Sequence, residues 1–486
     1  MTLLKRRKKQ LAQYALYIVC KLKKKIIASH IKIKTKMKVK NLLLAGLAVA
    51  AMTACSNNDI DEIVDNGIQT PTEEASMRLY FNFANQTTRA NGDTTGDKQD
   101  GNDLEWTVDG ANITVLLQYP NDAKNIVIKN LSPVSGKEKT YATEEFKVNA
   151  GSGVKVYAFI NPENLEIGAT TNPTTLTLTT AQTLPSEPDG LAYLVNGVAK
   201  DKKFMMSGST SLNIQAGADG TVNIAKINVD RVAAKLDEGT KFDTSISIAN
   251  DGIKYKNKDN GEANVSIKLL AYSYSNLTNN TYALNGIKEA SFNAKDIYLQ
   301  PYFSQGSYPT DGNDKKDYRW IAKDELNKIT YCLDNYGNNN PTRVHYKGQV
   351  CIDGKEISSN FYIRALLNLT NNVEYYFFNN LDEMKAYYKD ETINSITEET
   401  TREELSKLGI KKYNSGICYY EADIKTTLES QTTVSIMRNN WYKLTVKNIK
   451  EIGYPTPAKD PEDKDTKLVV ETTINPWTIQ INDFDL

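Results

Sequence analysis

Histidine is almost missing from this 486-residue chain, which has only His30 and His345. A Ser/His/Asp triad, a Cys/His pair or a multi-histidine zinc site would have to be built around one of these two rings. His345 stands in RVHYKGQVCI, an alternating stretch that predicts a plain strand residue. Cysteine is scarce too: Cys20, Cys55, Cys332, Cys351 and Cys418 show no CxxC spacing. The three beyond Cys55 cannot all pair within one chain, so buried thiols, or one disulfide and one thiol, are expected. With no nucleophile elbow, P-loop or HExxH motif, the chain predicts no enzyme, no metal and no cofactor.

Acidic residues are absent from residues 1–54, which carry 14 Lys/Arg. The remainder therefore has 59 − 14 = 45 basic against 59 acidic residues, a balance of −14 that argues against a nucleic-acid-binding surface. The apolar stretch from Leu42 to Ala54 is too short to span a bilayer core, which takes about 20 residues. It comes after a basic start at Met37 and precedes Cys55 and the acidic SNNDIDEIVD, an arrangement that resembles a bacterial lipoprotein signal lipidated on Cys55. Residues 1–36 form a basic leader without folded-domain pattern, and Met37 is the expected true start.

Strand signals dominate the chain beyond residue 75. In MRLYFNFA, Met77, Leu79, Phe81 and Phe83 alternate with Arg78, Tyr80, Asn82 and Ala84, the period of a strand with one buried face. The segment from Gln86 to Asp103 has no apolar pattern, and Arg89 within it is a ready site for an Arg-specific protease. Its Asp/Gly-rich run does not meet the EF-hand order and is read as a solvated loop. Strand-like runs recur at 112–120, 153–162, 175–180, 221–230, 264–275, 361–369 and 442–453, with Gly, Asn, Asp and Pro between them. They predict an all-β protein with two sandwiches, at 90–229 and 230–454. Helical pattern is minor, chiefly TREELSKLG, where Thr401 and Glu404 predict a capping box and Gly409 a stop. Residues 455–467, with three prolines and seven charges, predict an extended linker. The terminal segment 468–486 is strand-like in two phases. Leu468, Val470, Thr472 and Ile474 share one face; beyond Pro476, Trp477, Ile479 and Ile481 take the other parity.

A strand isolated by a solvated linker must satisfy its backbone by folding back or by joining a sheet elsewhere. The other end of the chain suggests where. Cleavage between Arg89 and Ala90 would remove residues 55–89 with the Met77–Phe83 strand and leave a groove, which the terminal strand of a neighbouring copy can fill. Either Val470 and Ile474, or Trp477, Ile479 and Ile481, are the candidate plugs.

From Met37 on, the chain resembles the fimbrillins of type V pili, most of all the minor-fimbria shaft subunit. The matching elements are the signal with Cys55, the Arg89-Ala90 pair, KVNAGSGVKVYAFIN, FMMSG at Phe204–Gly208, VDRVAAKL, Arg438-Asn439-Asn440-Trp441-Tyr442 with the run after it, and NPWTIQINDFDL. The resemblance implies two transthyretin-like β-sandwich domains in tandem, export as a lipoprotein of the outer membrane, maturation by an Arg-specific (trypsin-like) protease, and polymerisation by strand exchange at the cell surface in support of adhesion and biofilm formation. Its partners would be other copies of itself and accessory, tip and anchor subunits. The alternative expectation is a tip or accessory adhesin of the same fibre, or a glycan-binding surface lipoprotein.

Overall fold

The computed structural model describes residues 73–82, 99–100, 108, 113–137, 140–162, 165–168, 170–179, 199–200, 203–217, 222–278, 280–285, 320–322, 329–335, 341–427, 433–457 and 468–478. Among the described residues the architecture is all-β, with three short helices in the second half.

In the first half the main strands are β1 (Glu74–Asn82), β2 (Gln99–Asp100), β3 (Ile113–Gln118), β4 (Lys124–Lys129), β5 (Leu131–Pro133), β6 (Thr140–Thr143), β7 (Phe146–Asn149), β8 (Gly151–Ile160) and β9 (Thr177–Thr179), then β10 (Met206–Ile214), β11 (Val222–Asn228) and β12 (Asp230–Arg231). One sheet has the order β11-β1-β6-β5, with β7 also on β1; the other runs β12-β10-β8-β3-β4. Alternation explains the packing. Met77, Leu79 and Phe81 of β1 and Ala225 and Ile227 of β11 meet Ile113, Val115 and Leu117 of β3 and Val154, Val156 and Ala158 of β8 in one buried cluster. Gly208 has a steric reason to be glycine, because a Cβ there would fall on the carbonyl oxygen of Asn228.

The second half contains β13 (Ala234–Glu238), β14 (Ser245–Ser247), β15 (Tyr255–Lys256), β16 (Val265–Ser275), β17 (Asn280–Tyr282), β18 (Thr330–Cys332), β19 (Arg343–Ile352), β20 (Phe361–Leu367) and β21 (Val373–Phe378). After the helices come β22 (Ile410–Tyr413), β23 (Ile417–Asp423), β24 (Asn440–Ile449) and β25 (Leu468–Thr478). Three sheets enclose its core: β2-β25-β24-β13-β18, a sheet centred on β16 and β19 with β14 and β23, and one ordered β15-β21-β20-β22. Helices α1 (Leu381–Tyr388), α2 (Glu391–Asn394) and α3 (Arg402–Lys407) cover the far face of β20 and β21 through Leu381, Met384, Ile393 and Leu405. α3 starts at the expected Thr401–Glu404 capping box, and Gly409, at φ +68°, lies just beyond its end. α1 and α2 are too short to carry a 3.6-residue pattern and declare themselves only by their N-caps, Asn380 and Asp390.

His345 is a buried strand residue of β19, within 2.6 Å of the Ser275 hydroxyl, and burial pushes its pKa down to about 3. Cys332, Cys351 and Cys418 are free and buried, and burial pushes the Cys332 thiol well above its usual range. The expected linker begins later than residue 455. Pro455, Thr456 and Pro457 are buried, Tyr454 bridges Tyr419, and Arg402 Nη1 donates to Thr456 Oγ1 at 2.6 Å. Composition alone does not reveal this, because a proline lacking an N–H still packs well at a domain edge.

Candidate functional site

The site is built around β1. It lies inside its sheet rather than at an edge, parallel to β11 from Ser76↔Val222 to Asn82↔Asn228. On its other side it is antiparallel to β7 over Glu74–Met77 and to β6 over Tyr80–Asn82. Both of its backbone edges are thus in use, and Leu79 N–H donates to the Thr143 hydroxyl at 3.1 Å where β6 and β7 do not reach. Asn223 Nδ2 holds the Ser76 carbonyl at 3.0 Å. Met77, Leu79 and Phe81 are fully buried, and Ala75 at 1% exposure is a fourth inward position. Sequence reasoning gives the fourth place to Phe83, which lies outside the described residues. The alternation extends N-terminally through Ala75, which a search for large side chains passes over.

Without β1 the slot would be walled by the β11 edge on one side and the β6 and β7 edges on the other, over a floor of Ile113, Val115, Leu117 and Val156. Such a slot selects chain direction, through parallel pairing with β11, and an alternating apolar side-chain phase. It requires little else, since the side chains of the inter-sheet cluster that line it are apolar.

The terminal strand β25 is placed on β24 of its own chain, antiparallel, from Ile449↔Leu468 to Asn440↔Pro476 with a bulge near Val446. The sequence pattern alone leaves it a strand in need of a partner; β24 offers an edge that satisfies its backbone. Leu468, Val470, Thr472 and Ile474 stand in register opposite the buried Ile449, Val446, Leu444 and Tyr442. Trp477 and Thr478 lie past the β24 ladder and pair in backbone only with Gln99 and Asp100 of β2. Cys55, Arg89, Ala90, Ile479 and Ile481 lie outside the described residues.

β24 itself is anchored by a buried ion pair that the sequence does not flag as a pair. Arg438 Nε and Nη2 each approach Asp334 Oδ2 at 2.6 Å, the Arg438 N–H donates to Asp334 Oδ1, and Nη2 also donates to the Tyr282 carbonyl at 2.6 Å. Arg438 opens the RNNWY motif, but its partner lies 104 positions away. In the same half, Glu238 accepts from the Thr240 N–H at 2.9 Å and from Tyr346 OH at 2.9 Å, and burial raises its pKa to about 7. Among the described residues no group of three or more His, Cys, Asp or Glu side chains is placed to hold a metal ion, and no helix is long and apolar enough to cross a membrane.

Residues 411–483, which include β24 and β25, match the family model described as "Major fimbrial subunit protein type IV, Fimbrillin, C-terminal". Solved structures similar to the chain include a candidate cell adhesion protein from Parabacteroides distasonis (13% identity, 84% of this chain and 100% of that one, TM-score 0.43). A fimbrilin from Porphyromonas gingivalis shows 14% identity over 85% and 99% of the two chains, TM-score 0.41. A C-terminally truncated tip fimbrial protein from the same organism shows 12% identity over 83% and 100%, TM-score 0.33. No curated protein matches this chain.

Proposed function

We propose, for a chain whose C-terminal region is that of a fimbrillin, that it is a structural shaft subunit of a surface fibre, and that the β1 slot is where one copy holds the next. In this reading the precursor is exported as a lipoprotein through Cys55, an Arg-specific protease cuts between Arg89 and Ala90, and β1 leaves with residues 55–89. The first sandwich and its slot then begin at residue 90 and run through β12 to Arg231, just past the expected boundary at 229, the second sandwich follows, and the terminal strand is the donor.

The observation that carries the reading is the position of β1, buried and hydrogen-bonded on both edges. A strand so placed cannot depart without replacement, because its neighbours would be left with unpaired backbone groups and an exposed apolar floor. The C-terminus supplies a matching pattern. Trp477, Ile479, Ile481 and Asn482, with Thr478 and Gln480 between them, repeat the order of Met77, Leu79, Phe81 and Asn82 with Arg78 and Tyr80. In that alignment Pro476 falls at Ser76, the first residue of the β11 ladder. The ladder to β24 ends at Pro476. We therefore assign the exchanging plugs to Trp477, Ile479 and Ile481, with Val470 and Ile474 in the part that stays on its own β24.

The test is a pair of variants expressed in cells that make the fibre. Arg89→Ala should give exported monomer that still contains β1, and deletion of residues 477–486 should give cleaved subunits that form no detergent-resistant ladder. Ladders from the deletion variant would overturn the donor assignment.

A further inference from the structure

The two sandwiches are joined by more than the chain that passes between them. The outer face of the β12-β10-β8-β3-β4 sheet, with Leu116, Tyr157 and Phe159, is buried in the same apolar cluster as the second-half core. Apolar contact is non-directional, so by itself it lets one layer shift over the other. A polar network, buried at Ser207, Asp230, Arg231 and Asn285 and half-buried at Asn439, crosses the same junction. Arg231 Nη1 donates to Asn439 Oδ1 at 3.1 Å, Asn439 Nδ2 approaches Asp230 Oδ1 at 3.4 Å, and Asn285 Nδ2 donates to Asp230 Oδ2 at 3.2 Å. Ser207 Oγ donates to the Ala283 carbonyl at 2.5 Å. Ser207, Asp230 and Arg231 come from the first sandwich's sheet, the others from the second half. Asn439 takes a left-handed φ of +59°, and its N–H donates to the Ala233 carbonyl at 2.7 Å. The neighbouring Arg438 is fixed on Asp334. Bonds of this kind are directional and strong where water is excluded, and each one left unmade is costly, so they admit one arrangement of the two halves.

We propose that Asn439, clasping Asp230 and Arg231 from 208 positions away, is a positioning residue that fixes the angle between the slot-bearing sandwich and the donor-bearing one. In a polymer of copies of this chain it thereby sets stiffness and pitch. The polymer half of this statement rests on the strand-exchange reading: each copy receives a strand in its first sandwich and gives one from the end of its second, so every bend along the shaft passes through this junction.

The experiment separates the two halves. In the full-length chain, spin labels at Ser132→Cys and Ser359→Cys, both exposed positions on opposite sides of the junction, report the distance between the sandwiches. The chain with native Asn439 should give one narrow distance distribution. Asn439→Gly, which keeps the left-handed backbone and removes the clasp, should broaden it about twofold as further orientations become populated. Ser207→Ala, a milder change, should broaden it less and serves if Asn439→Gly does not fold. Polymers of Asn439→Gly should remain detergent-resistant but show a several-fold shorter persistence length by electron microscopy. An unchanged distance distribution in folded variants would overturn the proposal. A native chain that is cleaved yet forms no polymer would sink the strand-exchange reading while leaving the distance measurement to decide the junction.

Discussion

The two sandwiches are closed in different ways. The first is completed by β1, a central strand of its sheet, over a core cluster of apolar side chains. The second carries its terminal strand beside β24, and its interior holds the Arg438–Asp334 pair and the Glu238–Thr240–Tyr346 cluster. An apolar slot accepts any strand of the right direction and phase, because hydrophobic contact is insensitive to orientation. A core with ionised and hydrogen-bonded groups accepts one partner set only, because each unpaired member is penalised. In the proposed reading the first half exchanges a strand and the second holds its shape.

The largest expected effect tests the slot. Deleting residues 73–82 together with the candidate donor 477–486, so that neither strand is present, removes Met77, Leu79 and Phe81 from the core, at about 1.5–3 kcal/mol each, or roughly 5–9 kcal/mol together. Calorimetry should show the transition of the first sandwich abolished while a transition for the second persists. A single unchanged transition would mean that the halves do not differ in this way. Adding a peptide of residues 475–486 should restore the lost transition, and one of residues 468–474 should not.

Arg438→Met probes the other side of the comparison. It leaves Asp334 buried and unpaired, which costs about 3–5 kcal/mol, and it should lower the transition of the second sandwich first. Equal loss from both would show that the ion pair belongs to the junction more than to the second core.

Glu238 gives the second half a pH dependence. Its folded pKa of about 7 lies above the unfolded value of 4.5, so the folded state holds the proton more tightly. The stabilisation is complete below about pH 4.5 and is lost as pH rises through about 7, a change of about 3 kcal/mol between the two limits. Glu238→Gln should remove this loss, seen as a smaller fall in melting temperature between pH 5 and pH 8. His345, buried neutral with a pKa of about 3, acts in the opposite sense, losing its stabilisation as pH falls below about 6.5.

The smallest effect on the monomer is the most informative about assembly. Trp477 lies past the β24 ladder, and Trp477→Ala should change the stability of the isolated subunit by under about 0.5 kcal/mol while weakening detergent-resistant ladders. A large monomer effect would place Trp477 in its own domain.

Much of the fold is legible in the chain because period-2 alternation is a local signal. The runs at Met77, Ile113, Val154, Val265 and Tyr442 are each strands where alternation puts them, and the Thr401 cap needs only four residues to declare itself. Ala75 escapes such a reading because a methyl side chain gives burial no size signal. The buried stretch at Pro455–Pro457 escapes it because proline-rich composition is shared by linkers and by packed domain edges.

What the sequence determined by itself is which side chains alternate, where a helix is capped, and that the chain is strand-built with apolar patterns at both ends. Those properties depend on residues within one or two turns of each other. Only the tertiary structure decided that β1 is central, that its walls are β11, β6 and β7, that β25 rests on β24, and that Arg438 meets Asp334 and Asn439 meets Arg231. Most of these contacts join residues from about 60 to more than 200 positions apart, where backbone pairing and desolvated charge, neither of which leaves a periodic trace in the chain, choose the partner.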